Sequence, residues 1–204
     1  MTTPAPDFYL ASVSPRRREL LAQLRYRFAA LQVDIDETPQ PGETAAGLVL
    51  RLAGQKAAAG ARLVEFSDPR PVLGADTAVS VDGRILGKPA TRDEAVAMLS
   101  LLSGREHHVL TGVALLHAGS LDTVQSATTV VFRPITVAEM QRYWDTGEPR
   151  DKAGGYAIQG LAAAFVERIE GSYSGVVGLP LFETARLLQD SGVSGWQQDA
   201  PDHE

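Results

Sequence analysis

Apolar positions recur along this chain at two spacings, dividing it into short strands and amphipathic helices. A short strand around Tyr9 and Leu10 is followed by a tight connection. Ser14 suits a helix N-cap and Pro15 the first helical position, where a missing N–H costs nothing. Leu20, Leu21, Leu24 and Phe28 continue at helical spacing as a buried stripe. A strand is predicted over 28–35, and a helix over 43–61 with Ala45, Leu48, Val49, Leu52 and Ala59 on one face. Two apolar runs flank Asp82-Gly83, which marks a tight hairpin. Thr91 with Glu94 matches a capping box, and so does Thr136 with Glu139; the helices they open stop at Gly104 and Gly147. Strands are predicted over 107–117 and 123–132, joined at Ala118-Gly119-Ser120, and over 165–169. The last helix is predicted over 180–188, and the polar end, 191–204, is expected to fray.

The informative residues are those that break this pattern. Lys56 projects onto the apolar face of the second helix, where it either snorkels to the edge or points into a cavity that needs positive charge. Asp76 lies inside a predicted strand, where a carboxylate is costly unless paired, metal-bound or protonated. Gly74 and Ala75 before it leave room for something to approach the backbone. Arg16, Arg17 and Arg18 crowd the first turn of the first helix and oppose its dipole, at roughly 0.3–1 kcal/mol each. They form either a solvated face or a site where an anion meets free backbone N–H groups and guanidinium forks. Asp34, Asp36 and Glu37 cluster after the second strand, as a solvated loop or a place for a hard divalent cation. Lys88, before Pro89, can project from the edge that carries Asp76. His107 and His108 are adjacent on a strand, so they face opposite ways and cannot chelate one metal. The glycine-rich segments 148–160 and 171–180 match neither a P-loop nor a dinucleotide fingerprint.

Composition narrows the reading. At 204 residues the chain can bury a good core as one domain or two tightly fused lobes. It has no cysteine, so disulfides, thiol nucleophiles and cysteine zinc sites are excluded. No apolar run approaches the roughly 18–20 residues of a membrane span. Residues 1–7 lack the basic and apolar regions of a signal peptide, so a cytoplasmic protein without a membrane partner is expected. A net charge of −6 disfavours sequence-independent nucleic-acid binding. A small phosphorylated ligand in a locally cationic pocket fits better.

Several segments, in order, resemble the Maf family of nucleoside triphosphate pyrophosphatases. They are Leu10-Ala-Ser-Val-Ser-Pro-Arg-Arg17, Lys56-Ala, Leu73-Gly-Ala-Asp-Thr77, Gly87-Lys-Pro89, Asp151-Lys-Ala-Gly154, Ile158-Gln-Gly160, Gly171-Ser-Tyr173 and Val177-Gly-Leu-Pro180. Within the family, the Asp-Lys-Ala-Gly and Ile-Gln-Gly segments look like the group acting on dTTP and UTP. Val13, Gly155 and Gly175 depart from the residues usual at their positions; Val13 could crowd the phosphate turn.

The resemblance implies a single α/β domain of the Maf/ITPase-like kind over 1–204, an elongated, mixed, curved sheet flanked by helices with a cleft between two lobes. It implies hydrolysis of a nucleoside triphosphate, dTTP or UTP, to the monophosphate and pyrophosphate, in a homodimer using Mg²⁺ or Mn²⁺. Asp76, Arg16, Lys56 and Lys88 would be catalytic, and Ser12, Arg16, Arg17 and Gln159 would bind substrate. Asp76 and Glu37 would hold the metal. By the same resemblance Arg16 and Arg17 face the phosphates and Arg18 the solvent. The alternatives are a nucleotide-binding regulator of septum formation, or a pyrophosphatase for modified nucleotides.

Overall fold

The computed structural model describes residues 5–65 and 67–195. β1 (Phe8–Leu10) leads into α1 (Pro15–Gln23), and β2 (Phe28–Ala30) returns parallel to β1. Leu20 and Leu21 are buried as the stripe requires, but the helix stops short of Phe28. Arg25, at φ +58°, turns the chain, so Phe28 packs on Phe8 from the neighbouring strand, ring centroids 5.9 Å apart. β2 is also shorter than predicted, and the chain from 31 to 44 contains neither strand nor helix.

The following elements are α2 (Ala45–Ala61), β3 (Val72–Val81), β4 (Arg84–Leu86), α3 (Arg92–Leu102), β5 (Glu106–His117), β6 (Ser120–Phe132) and α4 (Val137–Asp145). Asp82 and Gly83 form the hairpin turn with φ of +51° and +75°. Thr136 and Glu139 make a full capping box. Thr91 makes half of one: its hydroxyl accepts from Glu94 N, but the Glu94 carboxylate accepts from Ala90 N at 2.7 Å. After a 3₁₀ turn over Leu161–Phe165 come β7 (Val166–Glu170), α5 (Tyr173–Val177) and α6 (Leu181–Asp190). The helical turn α5 lies where only a glycine-rich loop is predicted; the Ser172 hydroxyl caps it by accepting from Gly175 N at 3.0 Å. Val193 is buried in the core that also holds Phe8 and Leu10, so packing continues past the expected start of fraying. The rest of that segment, 196–204, lies outside the described residues.

The seven strands form one mixed sheet in the order β2-β1-β3-β5-β6-β7, with β4 paired to β3. β1 pairs in parallel with β2 and β3, and every other pair is antiparallel. This is the mixed, helix-flanked α/β sheet expected. Two main cores lie along its face opposite α2. One gathers Val79, Val81, Leu99, Leu102, Phe132 and Tyr143; the other gathers Phe8, Leu10, Leu21, Leu73, Leu179 and Leu188. β3 contributes its two ends to different cores, which makes its middle the junction of two lobes.

Helix α2 lies unusually close to this junction. A Cβ placed on Gly74 would stand 2.2 Å from the Ala53 carbonyl oxygen, and one on Gly112 would stand 2.5 Å from that of Val49. What the small residues near Asp76 admit is therefore the backbone of α2. Its alanines at 53 and 57 pack against Ala114. His107 and His108 face opposite ways, as strand geometry requires. His107 is buried, with Nε2 2.8 Å from the Tyr156 hydroxyl, whereas His108 is exposed.

Gly112→Ala is expected to overpack the α2–sheet contact and cost about 1–3 kcal/mol; an unchanged urea midpoint would refute the close approach. Burial, helped by the charge of His108, pushes His107 down to about 4. The folded protein therefore holds a neutral imidazole where the unfolded chain, near 6.5, takes up a proton. Its contribution to stability is complete above about pH 6.5 and is lost as pH falls towards 4. His107→Gln should show a smaller decline in urea midpoint between pH 7 and pH 4.5 than the wild type; equal declines would contradict this origin.

Candidate active site

β1 pairs with β3 only as far as Leu73, and β4 pairs with it only from Val79. Between these points, residues 74–78 of β3 have β5 on one side and no strand on the other. A cavity of about 610 Å³ opens onto this gap. It is bordered by the C-terminal end of β1 and the start of α1, the position at which α/β sheets commonly receive ligands. Ser12, Arg16, Arg17, Glu37, Lys56, Asp76, Lys88 and Gln159 all line it, so the eight residues to which the resemblance gives a site role converge.

On the α2 side, the Lys56 ammonium lies 2.7 Å from Asp76 Oδ1 and 2.6 Å from Glu37 Oε1. Lys56 and Asp76 are only 8% and 9% exposed, while Glu37 reaches in from the irregular segment before α2. The apolar-face lysine thus points into the cavity and does not snorkel to solvent. Its charge is already engaged by two carboxylates, which makes it a clamp for them rather than a free phosphate ligand. Burial acts to raise the Glu37 carboxyl, but the hydrogen bond and charge of Lys56, with Lys88 and Arg17, outweigh it and hold the group below its ordinary value. Lys88 Nζ lies 3.7 Å from Glu37 Oε2 and is otherwise open to the cavity mouth.

Arg17 enters from the other side. Its Nε donates to the Gly178 carbonyl at 2.8 Å, Nη1 to Ser12 Oγ at 3.3 Å and Nη2 to Thr77 Oγ1 at 3.4 Å. Each partner is a neutral oxygen. Burial lowers its pKa, with Asp76 and Glu37 opposing the effect from a distance; an arginine so placed still keeps its charge. Ser12 Oγ also accepts from Ser14 N at 3.2 Å, leaving its own proton to donate. Ser14 caps α1 by backbone position alone, with no side-chain hydrogen bond to the first turn. Arg16 is half-buried at the mouth and its pKa is lowered by that burial, against the opposing charges of Asp151 and Glu19. Arg18 is exposed and does not line the cavity.

The remaining wall is formed by the segment after α4. Lys152 pairs with Asp151 at 3.1 Å, and both line the cavity with Tyr156, Ile158 and the exposed Gln159. Val13, 55% exposed, also lines the cavity. Sequence reasoning about single residues missed Thr77, Thr111 and the Gly178 carbonyl. Thr77 had a usable signal: it follows Asp76 on a strand and must face the opposite way.

Among the described residues, no group of three or more His, Asp or Glu side chains could cage a metal. The Asp76–Glu37 pair fits a hard cation that takes one or two carboxylates and completes its shell with water and substrate oxygens, as Mg²⁺ does.

The profile of the family described as "Maf-like protein" matches residues 7–191. The dTTP/UTP pyrophosphatase of Saccharophagus degradans is 52% identical over 197 residues, covering 96% of this chain and 93% of that protein. The dTTP/UTP pyrophosphatase of Bordetella avium is 51% identical over 195 residues, covering 93% and 97%. Among solved structures, the Ham1 protein of Staphylococcus aureus matches over 61% of this chain and 71% of that one, with a TM-score of 0.42 and 14% identity, too slight a likeness to carry an argument. The profile match spans every described helix and strand, and both relatives are about half identical over more than nine-tenths of the chain; the chain belongs to the Maf-like family.

Proposed function

We propose that this protein hydrolyses dTTP and UTP to the monophosphate and pyrophosphate. The observation that carries the reading is the separation of charge within one cavity. An acidic pair, Asp76 and Glu37, is held on the α2 side, and a half-buried Arg17 with only neutral partners stands on the other. The names of the half-identical relatives support the same reaction and the same two nucleotides.

In this reading Arg17, Arg16, Lys88 and the first turn of α1 receive the triphosphate, and the Ser12 hydroxyl donates to one of its oxygens. Water attacks the α-phosphorus while the bond to the α–β bridging oxygen breaks, and pyrophosphate leaves with that oxygen. Asp76 accepts the proton released by the water. Glu37 and Asp76 would hold Mg²⁺ or Mn²⁺, which supplies Lewis-acid activation of water and neutralises phosphate charge. Lys56 holds the two carboxylates convergent. Arg16 and Arg17 offset charge that grows on the leaving pyrophosphate. Gln159 offers an amide donor and acceptor to the base edge.

The resemblance also supports a cytoplasmic homodimer. No helix among the described residues is long and apolar enough to cross a membrane. Phe182, 71% exposed, offers apolar surface to a second copy.

Asp76→Asn should lower dTTP and UTP turnover by about 10²–10⁴-fold, the range for a lost general base, while its far-UV circular dichroism spectrum stays that of the wild-type fold. Pyrophosphate release at near wild-type rates would remove Asp76 from the chemistry. Gln159→Ala should narrow the difference in kcat/KM between pyrimidine and purine triphosphates while leaving the Mg²⁺ concentration for half-maximal rate in place. Unaltered base preference would take Gln159 out of recognition.

A further inference from the structure

A line of hydrogen bonds runs away from Arg17 into the protein, and its direction is fixed by chemistry. Thr77 Oγ1 lies 2.9 Å from Thr111 Oγ1, and Thr111 Oγ1 lies 2.8 Å from the Gly175 carbonyl oxygen. A carbonyl can only accept, so the single Thr111 proton goes to Gly175. The contact between the two threonines must then use the Thr77 proton. That leaves a lone pair of Thr77 facing Arg17 Nη2 at 3.4 Å. Thr77 and Thr111 are register partners on β3 and β5, on the face away from Asp76 and α2. Thr111 is 1% exposed, so its hydroxyl has no solvent alternative.

We infer that Thr77 and Thr111 are positioning residues that orient Arg17 towards the phosphates, using α5 as the anchor. Gly175 ends the threonine line, and Gly178, just past α5, accepts directly from Arg17 Nε. The guanidinium from α1 is therefore fastened to β3 and to the end of α5 without meeting a carboxylate at ion-pair distance. An acidic partner would orient it equally well but would cancel the charge that an anion needs. Two hydroxyls in series orient it and leave that charge uncompensated.

This assignment rests on the pyrophosphatase reading for its function, but its test does not need turnover. Tripolyphosphate binding is measured by calorimetry with Mg²⁺ present for wild type, Thr77→Val, Thr77→Ser and Arg17→Lys, and for Thr77→Val combined with Arg17→Lys. Melting temperatures are recorded alongside. Loss of one hydrogen bond to a charged group predicts binding about tenfold weaker for Thr77→Val. Thr77→Ser, which keeps the hydroxyl, should bind as wild type. In the Arg17→Lys background, Thr77→Val should add less than twofold, because its effect passes through the arginine. Thr111→Val, which removes the acceptor that fixes the Thr77 proton, should weaken binding in the same direction and serves if Thr77→Val does not fold. Wild-type affinity in Thr77→Val, a full effect in the Arg17→Lys background, or failure of the serine to rescue would each overturn the assignment. So would absence of tripolyphosphate binding by the wild type. Threonine-dependent binding without hydrolysis of dTTP or UTP would uphold it while removing the pyrophosphatase reading.

Discussion

Helix α2 rests directly on the backbones of β3 and β5, and the position of the acidic pair follows from that contact. Any side chain at 74 or 112 would enter the backbone of the helix. With glycine at both, the face of α2 that carries Ala53 and Ala57 settles onto the sheet, and Lys56 arrives beside Asp76. One ammonium then meets two carboxylates from segments that share no local structure. Hydrogen bonds to charged groups contribute about 1.5–3 kcal/mol net each, which is the backbone ordering cost of only one or two residues of the irregular Glu37 segment.

The cavity uses its cations in two different ways. Lys56 is a compact point charge surrounded by acid, which suits it to gathering carboxylates. Arg17 is a planar fork held only by neutral oxygens, so its charge stays available while its orientation is set. The division follows from the strand. Asp76 and Thr77 are neighbours in sequence and therefore face opposite sides of β3, one presenting an anion to α2 and the other a hydroxyl to α1. A single two-residue step thus builds both halves of the site, at the stretch of β3 that neither β1 nor β4 covers.

Much of the local structure could be read from residue types, because it depends on short-range chemistry. The Asp82-Gly83 hairpin, the Thr136 capping box and the apolar face of α2 formed where propensity and pattern agreed. Errors arose where tertiary contacts decided. Phe28 fits the helical spacing of α1 but packs as a strand residue on Phe8. The short helix α5 hid in a glycine-rich segment because the partners of the Gly175 carbonyl and of the Gly178 carbonyl just past the helix, Thr111 and Arg17, come from elements over sixty residues away.

The sequence by itself determined which residues were out of place: a lysine on an apolar face, an aspartate inside a strand and arginines at the wrong end of a helix. Each misfit is visible locally because burial and helix dipoles penalise charge whatever surrounds it. Only the tertiary structure decided what each misfit was for. Gly74 admits a helix and not a ligand, and Lys56 serves carboxylates before phosphates. Of the three arginines, Arg16 and Arg17 line the cavity while Arg18 stays outside. Such distinctions depend on distances of a few ångströms between segments remote in the chain, and residue spacing carries no information about those distances.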